Sequence, residues 1–316
     1  MIVKADKAAI TEAARIILAG GLVAFPTETV YGLGADATQG QAVARIFEAK
    51  GRPRFNPLIA HVLDLQAALG LAEFDEKALA LARDFWPGPL TLVLPLSQHS
   101  AHRISELVTA GLDTIAIRIP AHPVARELLA AVAVPIAAPS ANKSGRVSPT
   151  QAEHVETDFG GEVDMILDGG SSNAGLESTI VTLAPQPTLL RPGAIAREDI
   201  EAVLGCRLAD FRQGKVQSPG QLLSHYAPRA ALRLNAVAAL PGEALLGFGP
   251  LAPKTALNLS PTGDLREAAA NLFASLRTLD AQKPSGIAVM PIPEAGLGEA
   301  INDRLRRASV PKQSKF

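Results

Sequence analysis

The chain has 316 residues, of which 47% are hydrophobic, 4% aromatic and 19% charged, with a formal net charge of −1. These values describe an ordinary folded chain of about two domains and exclude both a disordered polymer and a nonspecific nucleic-acid binder held by excess basic charge. The single cysteine, Cys206, excludes an intrachain disulfide and a cysteine-built zinc site, and no apolar run nears the ~20 residues that cross a bilayer, so a cytoplasmic protein is expected.

In chain order, an amphipathic helix over 7–19, preceded by Asp6, carries Glu12 and Arg15 on its polar side and stops at Gly20-Gly21. Leu22 to Phe25 reads as a buried strand running into Pro26, and PTETVYGLG behind it as a polar turn whose glycines permit close backbone approach. A helix over 40–49 ends at Gly51. Strands follow at 57–63, 90–96, 114–119, 134–138, 163–167, 178–183 and 187–191, with helices at 75–84, 122–131, 150–158 and 197–204. Helices do not separate these strands regularly, so a mixed α/β sheet is expected rather than a strictly parallel one. Cys206, just past the last of these helices, reads as an inert structural cysteine.

From residue 206 to 229 the periodicity fades, and FRQGKVQSPGQLLSHYAP reads as a linker. Leu222, Leu223, His225 and Tyr226 are too large to stand idle in solvent, so the linker is expected to be ordered against a neighbour. Strands at 231–235, 244–248, 255–259 and 286–292, a helix at 264–281 and a last helix from Gly298 then predict a small Rossmann-like α/β domain. The expected division is a domain over 1–205, a linker or lid over 206–229, and an accessory domain over 230–316.

The familiar phosphate, metal and hydrolase signatures are missing: no GxxxxGK[ST], HExxH or GxSxG occurs, and Gly32-Leu33-Gly34 lacks the rest of a dinucleotide fingerprint. What remains is a set of polar clusters at strand ends. KGRPRFNPL places Lys50, Arg52 and Arg54 at alternate positions, and Pro53 disfavours helix at Arg52, so an extended backbone is expected to converge the three cations. Arg118 lies inside an apolar strand and needs an anion there, from the protein or from a ligand. AAPSANKSGRVSPT can present donors to phosphates; its structural reading makes Ser148 a helix cap with Pro149 at the first helical position. LESTIV brings Ser178 and Thr179 to a strand start, and LLRPGAI brings Arg191 to a strand end. Together these clusters suggest one cleft for a polyphosphate and a small carboxylate.

PTETVYGLG, KGRPxxNPL, SANKSG, ESTIV, LLRPG and SPGxxxxHYAP, in this order, resemble the YrdC-like threonylcarbamoyl-adenylate synthases in their two-domain form. That resemblance implies a mixed twisted sheet with helices plus the smaller domain. It also implies conversion of L-threonine, bicarbonate and ATP to threonylcarbamoyl-AMP and pyrophosphate, for modification of tRNA beside the anticodon. The product would pass to the tRNA threonylcarbamoyltransferase machinery, with a weak contact to tRNA. By the same resemblance Thr29, His61, Arg118, the backbone at Ala138 and Ser178 would bind L-threonine. Lys50, Arg52, Asn56, Thr114, Ser140, Asn142, Ser148, Arg191 and Tyr226 would bind ATP, with Mg²⁺ held by its phosphates and Lys143 belonging to the SAN motif.

No covalent nucleophile is required, since catalysis by positioning and electrostatics suffices. Carbamates and mixed anhydrides decompose in water, so a lid is expected, and the linker ending at Tyr226 is its candidate. A second reading is an RNA-binding module using the basic cluster at 50–54. A third, a carbamoyltransferase like those of hydrogenase maturation, comes with zinc fingers for which the cysteines are lacking.

Overall fold

A computed structural model describes residues 1–97, 104–211 and 225–310. Eleven strands form one sheet in the order Ile2–Lys4, Met165–Asp168, Val23–Phe25, Gly32–Asp36, Ile136–Ala137, Ile59–His61, Thr114–Arg118, Leu90–Pro95, Thr179–Thr182, Thr188–Arg191 and Ala209–Asp210. Parallel and antiparallel neighbours alternate irregularly along it, so the sheet is mixed, as the spacing of helices predicted.

Helices cover this sheet because their apolar residues recur on one face. Lys7–Leu18 buries Ala9, Ile10, Ala13, Ala14 and Ile17 against Ala125, Leu128 and Leu129 of helix Pro123–Val132 and against strand residues Val23 and Leu167. Its start is set by Asp6, whose carboxylate accepts from the Ala9 N–H at 2.8 Å, a cap contributing about 1 kcal/mol. Asp64 and Asp75 start Leu65–Leu69 and Glu76–Phe85 in the same way.

The second sheet has four parallel strands in the order Ala231–Arg233, Gly286–Val289, Glu243–Gly247 and Leu257–Asn258, packed by helices Leu265–Ala281 and Leu297–Ser309. Its core does not stop at a boundary. Val30, Val147 and Leu176, from loops of the large sheet, belong to the same buried cluster as Leu272, Phe273, Leu276 and Ile301, with Tyr226 between them.

Four local expectations are corrected. Gly32–Asp36 is a buried strand rather than the end of a polar turn: a Cβ on Gly34 would come within 2.7 Å of the Phe25 ring, so glycine is what lets the strands pair across that ring. Lys50 is the last residue of helix Gly40–Lys50, and the chain turns through Gly51 at φ 61°. Residues 50, 52 and 54 therefore do not lie on one extended face; Lys50 and Arg52 turn inward and Arg54 stays exposed. Ser148 caps no helix, since Ala152–Phe159 begins after Gln151. Cys206 is exposed rather than a structural core residue. Ala209–Asp210, within the stretch read as linker, adds an edge strand to the large sheet, and residues 212–224, where the lid was expected, lie outside the described residues.

Candidate active site

The ends of the central strands and the loops after them surround an open-sided cavity. Thr29, His61, Arg118, Ala138 and Ser178 line it together with Arg52, Ser140, Arg191 and Tyr226. Nine of the fourteen residues singled out in the sequence thus share one wall, although they come from eight separate segments.

Strand pairing puts His61 beside Arg118, one on Ile59–His61 and the other on Thr114–Arg118. Arg118 is 3% exposed, and its guanidinium is held on three sides. One amino group donates to the Thr29 hydroxyl at 2.8 Å, Nε donates to the Gly88 carbonyl at 3.2 Å, and the other amino group stands 2.6 Å from a Glu28 carboxylate oxygen, misaligned for a hydrogen bond. The anion Arg118 requires is therefore supplied by the protein. Burial alone would raise the Glu28 pKa, yet the Arg118 charge holds it below the usual carboxylate value. Burial, then the charge of Arg118, lowers His61 to about 3, so its ring is neutral at physiological pH, and its Nδ1 has no partner.

On the far side, Ser178 exchanges a hydrogen bond with Thr91 at 2.7 Å, and Arg191 donates to the Ser178 carbonyl at 2.8 Å and hydroxyl at 3.1 Å. Arg52 donates to the carbonyls of Asn56 and Pro57 at 3.3 and 2.9 Å. Burial lowers it to about 9, still charged near neutrality. Lys50 sits one step behind the wall, its ammonium donating to the Ser140 and Asn142 carbonyls at 2.6 and 2.5 Å. Burial, with the Arg52 charge second, pulls its pKa well below the ordinary lysine value. Among the described residues neither Lys50 nor Arg52 is in contact with a carboxylate, and both cationic heads donate to backbone carbonyls. Such a site favours an incoming anion.

The remaining predicted residues lie behind the lining. Asn56 is 1% exposed with neither amide atom partnered, and Asn142 keeps its Oδ1 unpartnered while donating to the Lys143 and Arg146 carbonyls. Ser148 donates to Glu177 at 2.5 Å. Thr114 is at the opposite end of the strand from Arg118, paired with Pro95, and does not line the cavity. Lys143 points elsewhere, to the Ala49 carbonyl and Glu162. Glu28 and Glu177 stood in the quoted PTETVYGLG and ESTIV motifs without a role, and Thr91 was not foreseen, because reasoning about an anion cleft selects cations and hydroxyls. Nothing in the local sequence marks Arg304, whose guanidinium reaches Glu177 from the second sheet's last helix. His225, beside Tyr226 at 4.0 Å between ring centres, also lines the cavity.

An RNA-binding reading of residues 50–54 fails on burial. Lys50 and Arg52 are 3% and 8% exposed, leaving Arg54 alone to meet a phosphate backbone. No group of three or more His, Cys, Asp or Glu stands together among the described residues, so the side chains do not form a metal cage. No described helix is long and apolar enough to cross a membrane.

Comparison with known proteins agrees with this geometry. A family model described as "Telomere recombination" matches residues 15–193, and one described as "Threonylcarbamoyl-AMP synthase, C-terminal domain" matches residues 195–310. Proteins named Threonylcarbamoyl-AMP synthase from Pyrococcus abyssi and Bacillus subtilis are 44% and 41% identical, covering 94% and 95% of this chain and 93% and 92% of their own. The crystal structure of P. abyssi Sua5 complexed with L-threonine superposes with a TM-score of 0.88 at 40% identity, over 98% of this chain and 97% of that one. A match of this extent, over both sheets, means that the chain belongs to the threonylcarbamoyl-AMP synthase family.

Proposed function

We propose that the chain joins L-threonine, bicarbonate and ATP into threonylcarbamoyl-AMP and pyrophosphate, the activated donor for tRNA threonylcarbamoyladenosine. The observation that carries this reading is the single cavity shared by Arg118, Thr29, His61 and Ser178 on one side and Arg52, Ser140 and Arg191 on the other. It provides adjoining places for a zwitterion and a phosphate tail. The likeness to a Sua5 structure holding L-threonine supports the first of these places.

The chemistry needs two anions brought together. The neutral amine of threonine takes up carbon dioxide derived from bicarbonate, forming an N–C bond and releasing a proton to solvent. A carbamate oxygen then attacks the α-phosphorus, and the phosphorus–oxygen bond to pyrophosphate breaks. Lys50, Arg52 and Arg191 offset the negative charge that accumulates, while Arg118 orients the amino-acid carboxylate; this is catalysis by alignment and fixed charge. His61, neutral down to about pH 3, acts as a hydrogen-bonding group and not as the base for the ammonium. The Thr29 and Ser178 hydroxyls, each already held by protein partners, are fixed groups against which the hydroxyl of threonine can be distinguished from its absence. Mg²⁺ would enter with ATP and lower the charge of its phosphates, because the side chains present offer it no cage. A cytoplasmic location and delivery of the product to a tRNA-modifying transferase belong to the same proposal.

Pyrophosphate release from ATP, measured with each of the twenty amino acids in bicarbonate buffer, tests it. Turnover specific for threonine and lost on removing bicarbonate is expected; turnover indifferent to the amino acid would reject the reading.

A further inference from the structure

The last helix, Leu297–Ser309, buries Gly298, Ala300, Ile301, Leu305 and Ala308 along one face, and Arg304 lies on that same face with no exposure at all. An apolar residue would suit the position. Instead the guanidinium donates from Nε to Glu177 at 2.8 Å, from one amino group to the Pro192 carbonyl at 2.9 Å and from the other to Asp303 at 2.7 Å, and lies 5.0 Å from the centre of the Tyr226 ring. Glu177 in turn lines the cavity and accepts from Ser148. Folding alone is a weak reason for a buried ion pair, since apolar residues of similar volume often replace one at no loss. What distinguishes this one is that its carboxylate faces a cleft built for anions.

We propose that Arg304 is a positioning residue for the nucleotide, supplied by the second sheet, which neutralises Glu177 so that its carboxylate does not oppose the phosphates and holds Ser148 in place. The inference rests on the synthase reading. It gives the second sheet's last helix a role in the reaction although none of that helix's described residues lines the cavity. Burial pushes the Glu177 pKa up, and the charges of Arg304 and Arg191 outweigh it and hold the carboxyl below the usual carboxylate value, so the carboxylate meets the cleft already paired.

The test compares full-length Arg304→Met, Glu177→Gln and the double variant by ATP and threonine KM, kcat, equilibrium ATP titration without threonine, and thermal midpoint. Arg304→Met should raise the ATP KM about tenfold, equivalent to ~1.4 kcal/mol, with a much smaller change for threonine. Adding Glu177→Gln should recover most of that loss, because an amide can still accept from Ser148 but carries no charge. Arg304→Lys keeps the charge without the planar fork and should raise the ATP KM about two- to threefold, which retains a test if Arg304→Met does not fold. Arg197→Met breaks another ion pair to this helix, with Glu299 at 2.6 Å, and should lower the thermal midpoint while leaving the ATP KM unchanged. Losses in Arg304→Met that fall on kcat and stability alone, or that Glu177→Gln deepens, would overturn the proposal. Wild-type protein without threonine-dependent turnover would sink the synthase reading instead, while the ATP titrations would still decide the role of Arg304.

Discussion

At the level of single residues, the site is built from groups whose burial is tolerable only with a partner. Arg118 has Glu28 and Thr29, so replacing it with Met leaves a carboxylate stranded. Arg118→Met should cost about 3 kcal/mol of stability and raise the threonine KM by roughly 100-fold, read by denaturant unfolding and steady-state kinetics; an unchanged threonine KM would remove Arg118 from the binding role. Asn56 is the opposite case, a buried amide without partners. Asn56→Leu should stabilise the unliganded protein by about 1 kcal/mol and weaken ATP binding, the exchange expected where an unpartnered group waits for a ligand. The cations and hydroxyls of the cleft were legible in the sequence because a charged residue in an apolar strand demands an explanation. Glu28 and Glu177 were not, because a carboxylate in an anion site makes sense only once its arginine is visible, and for Glu177 that arginine is 127 positions away.

Among the elements, the helix end at Lys50 decides where two of the cations go. The predicted helix, 40–49, and its stop at Gly51 agree with the structure, but the extended run inferred beyond it does not form. Gly51 at φ 61° reverses the chain, so Lys50 leaves the helix toward the Ser140 loop, and Arg52 enters the cavity from the turn. A Cβ there meets nothing within 4 Å, so Gly51→Ala tests the backbone conformation alone. It should cost about 1–2 kcal/mol and weaken ATP binding more than threonine binding; equal effects on both would dissociate the turn from the phosphate side. The short strand Ile2–Lys4 and the glycine-bearing strand Gly32–Asp36 escaped sequence reading because three residues carry no periodicity and glycine carries no strand preference. Their pairing is decided by neighbours distant in the chain.

For the whole molecule, burial sets the response to acid. His61 and His154 are lowered by burial to about 3 and about 4, and His225 falls well below its ordinary 6.5. The unfolded chain takes up protons on these rings below pH 6.5, whereas the native state takes them up only at much lower pH. Stability is therefore fully present above about pH 6.5 and is lost as pH falls toward 4. Thermal midpoints between pH 7.5 and 4.5 should decline, and His154→Gln should make the decline shallower; parallel curves would remove His154 from the account. Two α/β units were legible from strand and helix spacing, yet their dependence on each other was not, because Val30, Val147 and Leu176 look like ordinary loop residues until Phe273 and Leu276 cover them. An expression product cut at residue 205 would bare that patch to water. Such a fragment should self-associate, and replacing the three exposed side chains with Thr or Ser should return it to solution without reviving nucleotide affinity, as judged by light scattering.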